Sequence, residues 1–551
     1  MKKIKFFIFS SVMVLFFACD STELDLLVDP DSLSPENADI GQVFNATQLG
    51  LADFFEVAST PTMDLTRMTN MSSGNAYANA YLPDDFNTIW EVAYATFLAD
   101  VSVLKQISTD DENPNMLAVA QTMEAYVIIT LADLFGDIPY SQALQQGENF
   151  NPERDSDESI YIAARDLLLS ARGNYDEDAL PLINDLYYNN DISKWERLTN
   201  SLLLKIAVNS RLANPAQSTS DVQGLLNQNL IENSSDDFEF EWSTNVSSPA
   251  SRHPKFASAY DAPTPTGFQS NNYMWLLQND KDDIDEDIVD PRIRYYFYRK
   301  TLETPTSTNQ VGCLGSDPFS HYVLVGEAYP FCTAGNGYVG RDHGNNGPIL
   351  SDGAVRTIYG LYPVGGKFDD NSASQISMNS GAAGAGISPI MTSSFVEFMR
   401  AEAQLTLLNN PAAARSNLEN GIRESIADVT GTFDSSLIDS DFAPTGAEID
   451  AYVNAALQLY DNASGTDNKL NVIIKEYYFA LFGNGIETFN NYRRTGKPEN
   501  LQPSINSSPG TFFNLLWYPT NHTSFNNNAD PRPNLSEKAF WAENTSFNLN
   551  F

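Results

Sequence analysis

Residues 116–135 read Met-Leu-Ala-Val-Ala-Gln-Thr-Met-Glu-Ala-Tyr-Val-Ile-Ile-Thr-Leu-Ala-Asp-Leu-Phe. Ala120, Met123, Val127, Leu131 and Leu134 recur at steps of three and four, which lays them on one face of a helix. Gly136 follows and ends the run. The same pattern predicts helices over Ser159–Leu169, Trp195–Leu212, Ser394–Leu408 and Asn471–Phe482, the last closed by Gly483 or Gly485. Asn409-Asn410-Pro411-Ala412 is a turn, and the helix that continues from it through Gly421 makes a helical hairpin with Ser394–Leu408. Paired helices of this kind predict a tetratricopeptide-like arrangement, although no clean period of about 34 residues runs through the chain.

Between about residues 236 and 390 the pattern changes. Gly, Pro, Asn and aromatic residues become dense and the helical spacing is lost. Phe238, Phe240 and Trp242 alternate as in a short strand. Gly335-Asn336-Gly337 and Gly344-Asn345-Asn346-Gly347-Pro348 are turn sequences. The predicted fold class is therefore mainly α: tetratricopeptide-like helical pairs with long irregular, loop-rich insertions. Loops of this length inside a compact protein are often functional.

The N-terminus carries a different signal. Lys2, Lys3 and Lys5 precede an apolar run from Phe6 to Ala18, which ends in Leu15-Phe16-Phe17-Ala18-Cys19. A basic start, a short apolar stretch and a small residue at the cut are the marks of an export signal. The run is shorter than the roughly 20 residues that span a bilayer, so it reads as removable. Residues 1–18 are the expected signal peptide and Cys19 the expected lipidation site. Phe16 stands where the usual motif carries an aliphatic residue, and plain secretion with cleavage nearby is the alternative. No later stretch reads as long and apolar enough to span a bilayer. Residues 19–40, acidic and carrying Pro30 and Pro35, read as a lipidated flexible tether. Residues 41–551 follow as one domain, with the irregular insertion at about 236–390.

Composition narrows the function. The 71 acidic residues outnumber the 32 Lys and Arg, for a net charge of −39, which repels phosphate backbones and argues against nucleic acid as a partner. The same charge repels an anionic membrane surface, so any anchoring has to come from lipid rather than from basic residues. Of the three cysteines, Cys313 and Cys332 remain after Cys19. In an oxidising compartment they either close a loop as a disulfide or stay as two thiols. No paired-cysteine spacing suggests zinc. Asp280-Lys281-Asp282-Asp283-Ile284-Asp285-Glu286-Asp287 could hold calcium, but it lacks the glycine and terminal glutamate of an EF-hand loop, and a solvated acidic turn is the plainer reading. No other cofactor is expected.

Nothing in the chain spells an enzyme. The four histidines, His253, His321, His343 and His522, show no zinc-protease spacing, and there is no serine elbow, phosphate loop or dinucleotide fingerprint. No catalytic residue is assigned. A secreted glycoside hydrolase built on a carboxylate pair is the rival reading. A structural lipoprotein that docks other proteins is a third.

Several blocks together resemble the SusD/RagB family of nutrient-binding outer-membrane lipoproteins. They are Ala132-Asp133-Leu134-Phe135-Gly136-Asp137-Ile138-Pro139-Tyr140 with Ser141 to Leu144; Trp195 with Asn200-Ser201-Leu202 and Arg211; and Asp290-Pro291-Arg292. Gly340-Arg341-Asp342-His343-Gly344 with Tyr362-Pro363 is similar to one subgroup. Pro389-Ile390-Met391-Thr392 with Glu397, Ala401, Glu402 and Ala403 follows, then Glu476, Phe482-Gly483-Asn484-Gly485 and Phe540-Trp541. They occur in family order from about residue 40 to the end. The resemblance implies four tetratricopeptide-like pairs and an irregular ligand-bearing face. It also implies a partner, a SusC-like TonB-dependent transporter over which the lipoprotein sits as a lid. The implied ligand is an oligosaccharide, with peptide as the alternative.

Sugar rings stack their C–H faces on aromatic rings and need paired donors and acceptors for their hydroxyls. Asn75-Ala76-Tyr77-Ala78-Asn79-Ala80-Tyr81 and Asn271-Asn272-Tyr273-Met274-Trp275 interleave aromatics with amides, so Tyr77, Tyr81, Asn272, Tyr273 and Trp275 are the candidate ligand-binding residues. Packing of these loops onto the core is the competing reading. Trp90, Trp195 and Trp541 are expected in the core, with Trp242 packing inward from a strand. Arg341, Asp342 and His343 are read as a structural turn that borders the ligand site.

Overall fold

The computed structural model describes residues 39–145, 149–261, 267–323, 329–347, 351–499 and 501–542. Cys19 and nearly all of the expected tether lie outside the described residues. Helices of nine or more residues are numbered here. The first, α1 (Ile40–Leu65), starts at Asp39, whose carboxylate accepts the Gln42 N–H at 3.0 Å. It packs against α2 (Leu98–Asp110), α3 (Pro114–Phe135) against α4 (Asp157–Asn174), and α5 (Ile192–Asn209) against α6 (Pro215–Leu225). The irregular region holds α7 (Asn271–Asn279). Beyond it, α8 (Ser393–Thr406) pairs with α9 (Pro411–Gly431) and α10 (Gly446–Asn462) with α11 (Gly465–Ala480). The last, α12 (Gly485–Thr495), returns to lie on α1 and so joins the two halves of the chain. The fold is mainly α and built of helical pairs, as the periodicity predicts.

Helix α3 shows how the sequence sets these limits. Asn113 accepts the Met116 N–H, Pro114 fills the first turn where no N–H is needed, and Gly136 closes the end at φ +73°. By length and mean hydropathy (22 residues, 1.4) this helix could cross a membrane, which corrects the expectation that nothing beyond the leader is long and apolar enough. Of its most apolar window 89% is buried inside the protein, and a helix apolar on all sides packs well in the middle of a large core.

Other boundaries move for local reasons. Helix α9 passes through Gly421 to Gly431, because Gly421 marks a close approach rather than a stop: a Cβ there would sit 3.1 Å from the Phe398 ring. Helix α11 ends at Ala480, Gly483 turns the chain at φ +97°, and Gly485 already opens α12. Helix α5 ends at Asn209, three residues before Leu212, since Pro215 begins the next helix.

Among the described residues, four short strands lie in the irregular region or at its edge: β1 (Phe238–Trp242), β2 (Phe297–Tyr298), β3 (Ile358–Tyr359) and β4 (Gly386–Met391). β1 pairs antiparallel with β4, Trp242 opposite Gly386, and β2 pairs with β3. Trp242 is half-buried and its Nε1–H donates to Ser388 at 2.8 Å. Trp90, Trp195 and Trp541 are buried.

Several charged residues of the scaffold are buried and paired, some of them across long sequence distances. Asp133 accepts hydrogen bonds from Tyr161, from Asn490 at 2.7 Å and from the Trp541 indole at 3.0 Å. Glu402 binds Arg211 at 2.7 Å and Arg494 at 2.6 Å. Asp290 holds Arg292 through a fork at 2.9 and 2.6 Å. Removing one partner of such a pair strands a buried charge, so these contacts select which helix docks where.

Candidate functional site

The structure separates the sequence-predicted aromatics. Tyr77 is fully buried. Its hydroxyl accepts from Arg67 Nη2 at 2.9 Å and meets His343 Nε2 at 3.3 Å, and its ring sits edge-on to Phe512 at 5.3 Å. A buried guanidinium needs acceptors, and Tyr77 supplies one. Tyr273 is also buried, and its hydroxyl donates to the carbonyls of Tyr478 and Phe479 at 3.3 and 3.1 Å. Those carbonyls lie in the last turn of α11, where no helical N–H remains to bind them. Asn272 is buried beside it, accepting the Gln502 N–H at 3.3 Å. Burial thus corrects the expectation that Tyr77, Asn272 and Tyr273 meet a ligand. Trp275 is half-buried on α7 and lines none of the clefts described below.

Tyr81 behaves differently. It is half-buried, with its ring 5.7 Å from Phe86 and its hydroxyl donating to Asp64 Oδ2 at 2.5 Å. It opens on a cleft of about 570 Å³. One wall is α1, through Glu56, Val57, Thr60, Pro61 and Asp64. The second is the segment after it, through Ser73, Tyr81, Asp85, Thr88 and Ile89. The third is the turn with Pro254, Lys255 and Ser258. Pro61 lies inside α1 and has no N–H to give the Val57 carbonyl, so one main-chain acceptor is freed on that wall.

The electrostatics of this cleft are graded. Burial pushes Glu56 up, but the charge of Lys255 at 3.4 Å, together with a 2.6 Å hydrogen bond from Ser388, outweighs it and leaves the carboxyl below its ordinary value. Asp64 has weaker support: burial pushes its carboxyl up to about 6 against hydrogen bonds from Thr69 and Tyr81. His253 is held neutral by burial, lowered to about 4. Near neutral pH the cleft therefore offers carboxylate acceptors, hydroxyls, one ammonium group and an aromatic ring.

A second cleft of about 570 Å³ lies between residues 287–299, 336–338 and 440–451. Its guanidinium groups are already engaged: Arg294 lies over Phe442 at 5.1 Å, and Arg299 lies over Tyr338 at 4.9 Å while binding Asp369 at 2.6 Å.

The acidic stretch after α7 is partly structural. Asp280 binds Lys281 at 2.6 Å and the partly exposed Lys475 at 2.7 Å, and Lys281 also binds the buried Glu476. Asp280 is thereby engaged by ammonium groups. Arg341 stacks on Phe268 at 3.8 Å and binds Asp352 at 2.9 Å, while Asp342 accepts from Asn271 and from the Cys332 N–H, both at 2.9 Å. His343 is buried and pushed well below its ordinary pKa by burial and by the Arg67 charge. These three residues form a structural turn. Cys313 and Cys332 are joined by a disulfide. Sequence reasoning missed Asp64 and Lys255, which come from segments some 190 residues apart and follow no motif.

Two family models match the chain: "Starch-binding associating with outer membrane" over residues 32–320, and "Susd and RagB outer membrane lipoprotein" over residues 359–530. The chain belongs to the SusD/RagB family. The Gly340–Gly344 segment falls between the two matched intervals. No curated protein matches the chain. Among solved structures, a SusD homolog from Bacteroides uniformis superposes with a TM-score of 0.63 at 18% identity, covering 92% of this chain and 99% of that one. A chitin-binding SusD homolog from Flavobacterium johnsoniae gives 0.62 at 17% identity, with 92% and 99% covered. A chain described as a chitin-binding protein gives 0.62 at 20% identity, with 92% and 100% covered. At these identities the likeness concerns the SusD fold.

Proposed function

We propose that this SusD/RagB chain is a non-catalytic glycan receptor, lipid-anchored through Cys19 and exposed at the outer-membrane surface. It captures an oligosaccharide in the Tyr81 cleft and passes it to a SusC-like TonB-dependent transporter. One observation carries the reading: an accessible tyrosine ring stands in the same cleft as Asp64, Asp85, Lys255, Ser73 and Ser258. That set matches the apolar face and the hydroxyls of a sugar. The family description and two of the similar structures name starch and chitin, so maltooligosaccharides and chitin oligomers are the first ligands to test.

Retention in gels containing the soluble polymer, followed by calorimetry with oligomers, tests it. Replacing Tyr81 by Ala removes a stacking contact of about 0.5–1.5 kcal/mol beyond burial, and affinity should fall roughly 2- to 10-fold. Unchanged affinity in a folded Tyr81→Ala protein moves the site elsewhere. Asp64 and Glu56 are pushed in opposite directions in one cleft, the pattern by which hydrolases divide acid from base. Release of new reducing ends would therefore replace capture by hydrolysis.

A further inference from the structure

A second carboxylate group lies away from the Tyr81 cleft. Strand alternation turns Phe238 and Phe240 into the core and leaves Glu239 and Glu241 on the other face of β1, with Asp237 just before the strand. Asp428, near the C-terminal end of α9, joins them across the sequence. One carboxylate oxygen from each of Asp237, Glu239 and Asp428 lies within 4.8 Å of the other two. Asp237 is only 6% exposed, and its Oδ2, like Glu239 Oε2, is shielded from solvent with no hydrogen-bond partner. The other Asp237 oxygen is occupied, accepting the Ser393 N–H at 2.6 Å.

Buried carboxylates of this kind are normally paired or metal-bound. The charges that act on these three come from one another, from Glu241 and from Glu424, so the field at the cluster is negative. We propose that Asp237, Glu239 and Asp428 form a binding site for a hard divalent cation of the calcium class. Such separations fit within the shell of a calcium ion, whose Ca–O distances are near 2.4 Å, and calcium tolerates an irregular shell where magnesium demands near-ideal octahedral geometry at about 2.1 Å. The coordination left open after three carboxylates is filled by water from the adjoining cleft of about 420 Å³, which Glu239 and Asp428 line and which gives the ion its entry path. Bound there, the cation ties the β1–β4 ribbon to α9, and so ties the irregular region to the helical scaffold. This site does not depend on the glycan reading.

The test uses the protein stripped with chelator and titrated with calcium chloride by calorimetry, with thermal melts in parallel. The intact protein is expected to take up one calcium per chain at this site and to melt higher with it. Asp428→Asn and Glu239→Gln, both near-isosteric, should each weaken uptake at least 10-fold and abolish the calcium-dependent rise. Terbium gives a second readout, because Trp242 lines the same cleft and can sensitise its emission. Trp242→Phe should remove most of that emission while leaving calcium affinity in place. No calcium uptake by the intact protein overturns the proposal, since the cluster then holds protons. Undiminished uptake in both carboxylate variants also overturns it, by placing the ion elsewhere, as does terbium emission that persists without Trp242.

Discussion

Replacing Lys281 by Met tests whether the acidic stretch after α7 is held together as an ion network. Lys281 is almost fully buried, with its ammonium bound to Asp280 at 2.6 Å and to Glu476, and 4.9 Å above the Tyr452 ring. Methionine fills nearly the same volume but leaves both carboxylates without their shared cation. Stranding a buried charge costs about 3–5 kcal/mol. Part of that is recovered here. Asp280 keeps Lys475 at 2.7 Å, while Glu476 keeps the Tyr452 hydroxyl at 3.0 Å and Arg292 at 3.8 Å. The expected loss is therefore at the lower end, about 3 kcal/mol, read from urea unfolding followed by tryptophan fluorescence. Adding Glu476→Gln removes one of the two stranded charges, so the double variant should be more stable than the sum of the single losses by about 1–2 kcal/mol. Asp280 sets the pH sign. Burial raises its carboxyl, but Lys281 and Lys475 outweigh that and lower it, so its contribution is present above the unfolded value of about 3.9 and is lost as the pH falls below it. A single-variant loss below about 1 kcal/mol, or strict additivity in the double variant, would refute the network.

Tyr77→Phe keeps the ring but removes the hydroxyl that accepts from Arg67; stability should drop by about 1.5–3 kcal/mol while glycan affinity stays unchanged, in contrast to Tyr81→Ala. Gly485→Ala would place a Cβ 2.3 Å from the Ser59 carbonyl and 2.4 Å from the Met63 nitrogen, so α12 should no longer seat on α1, which limited proteolysis would show as early cleavage between the two halves. His253 is held neutral by burial despite Glu56, with Lys255 also disfavouring its charge. Its pKa of about 4 lies below the usual 6.5, so this contribution is present above pH 6.5 and falls away on acidification. Between pH 7 and 4.5 the intact protein should lose about 2–3 kcal/mol more than His253→Gln, measured by denaturant midpoints at each pH.

The family blocks were readable because they are the buried polar residues of the scaffold. Asp133 meets Trp541, Arg211 meets Glu402, and Arg292 lies near Glu476, so residues quoted from separate segments turn out to be partners. The helices were readable for a related reason: apolar spacing, Pro at first turns and Gly at ends act over a few residues, and α3 follows them closely. The ligand cleft was not. Tyr77 and Tyr81 stand four residues apart in the same kind of sequence, yet one is sealed under Arg67 and Phe512 while the other opens on the cleft.

Short-range chemistry along the chain was enough to place the helices, the irregular middle and the family. Whether a given tyrosine is displayed or buried, whether an aspartate meets a lysine or other carboxylates, and which distant segments wall a cleft were settled by docking. Those outcomes depend on burial and on charges brought together from hundreds of residues away, and no local pattern encodes such a distance. Asp237 and Asp428 make the point: each is an ordinary acidic residue until the fold sets them side by side in the dark.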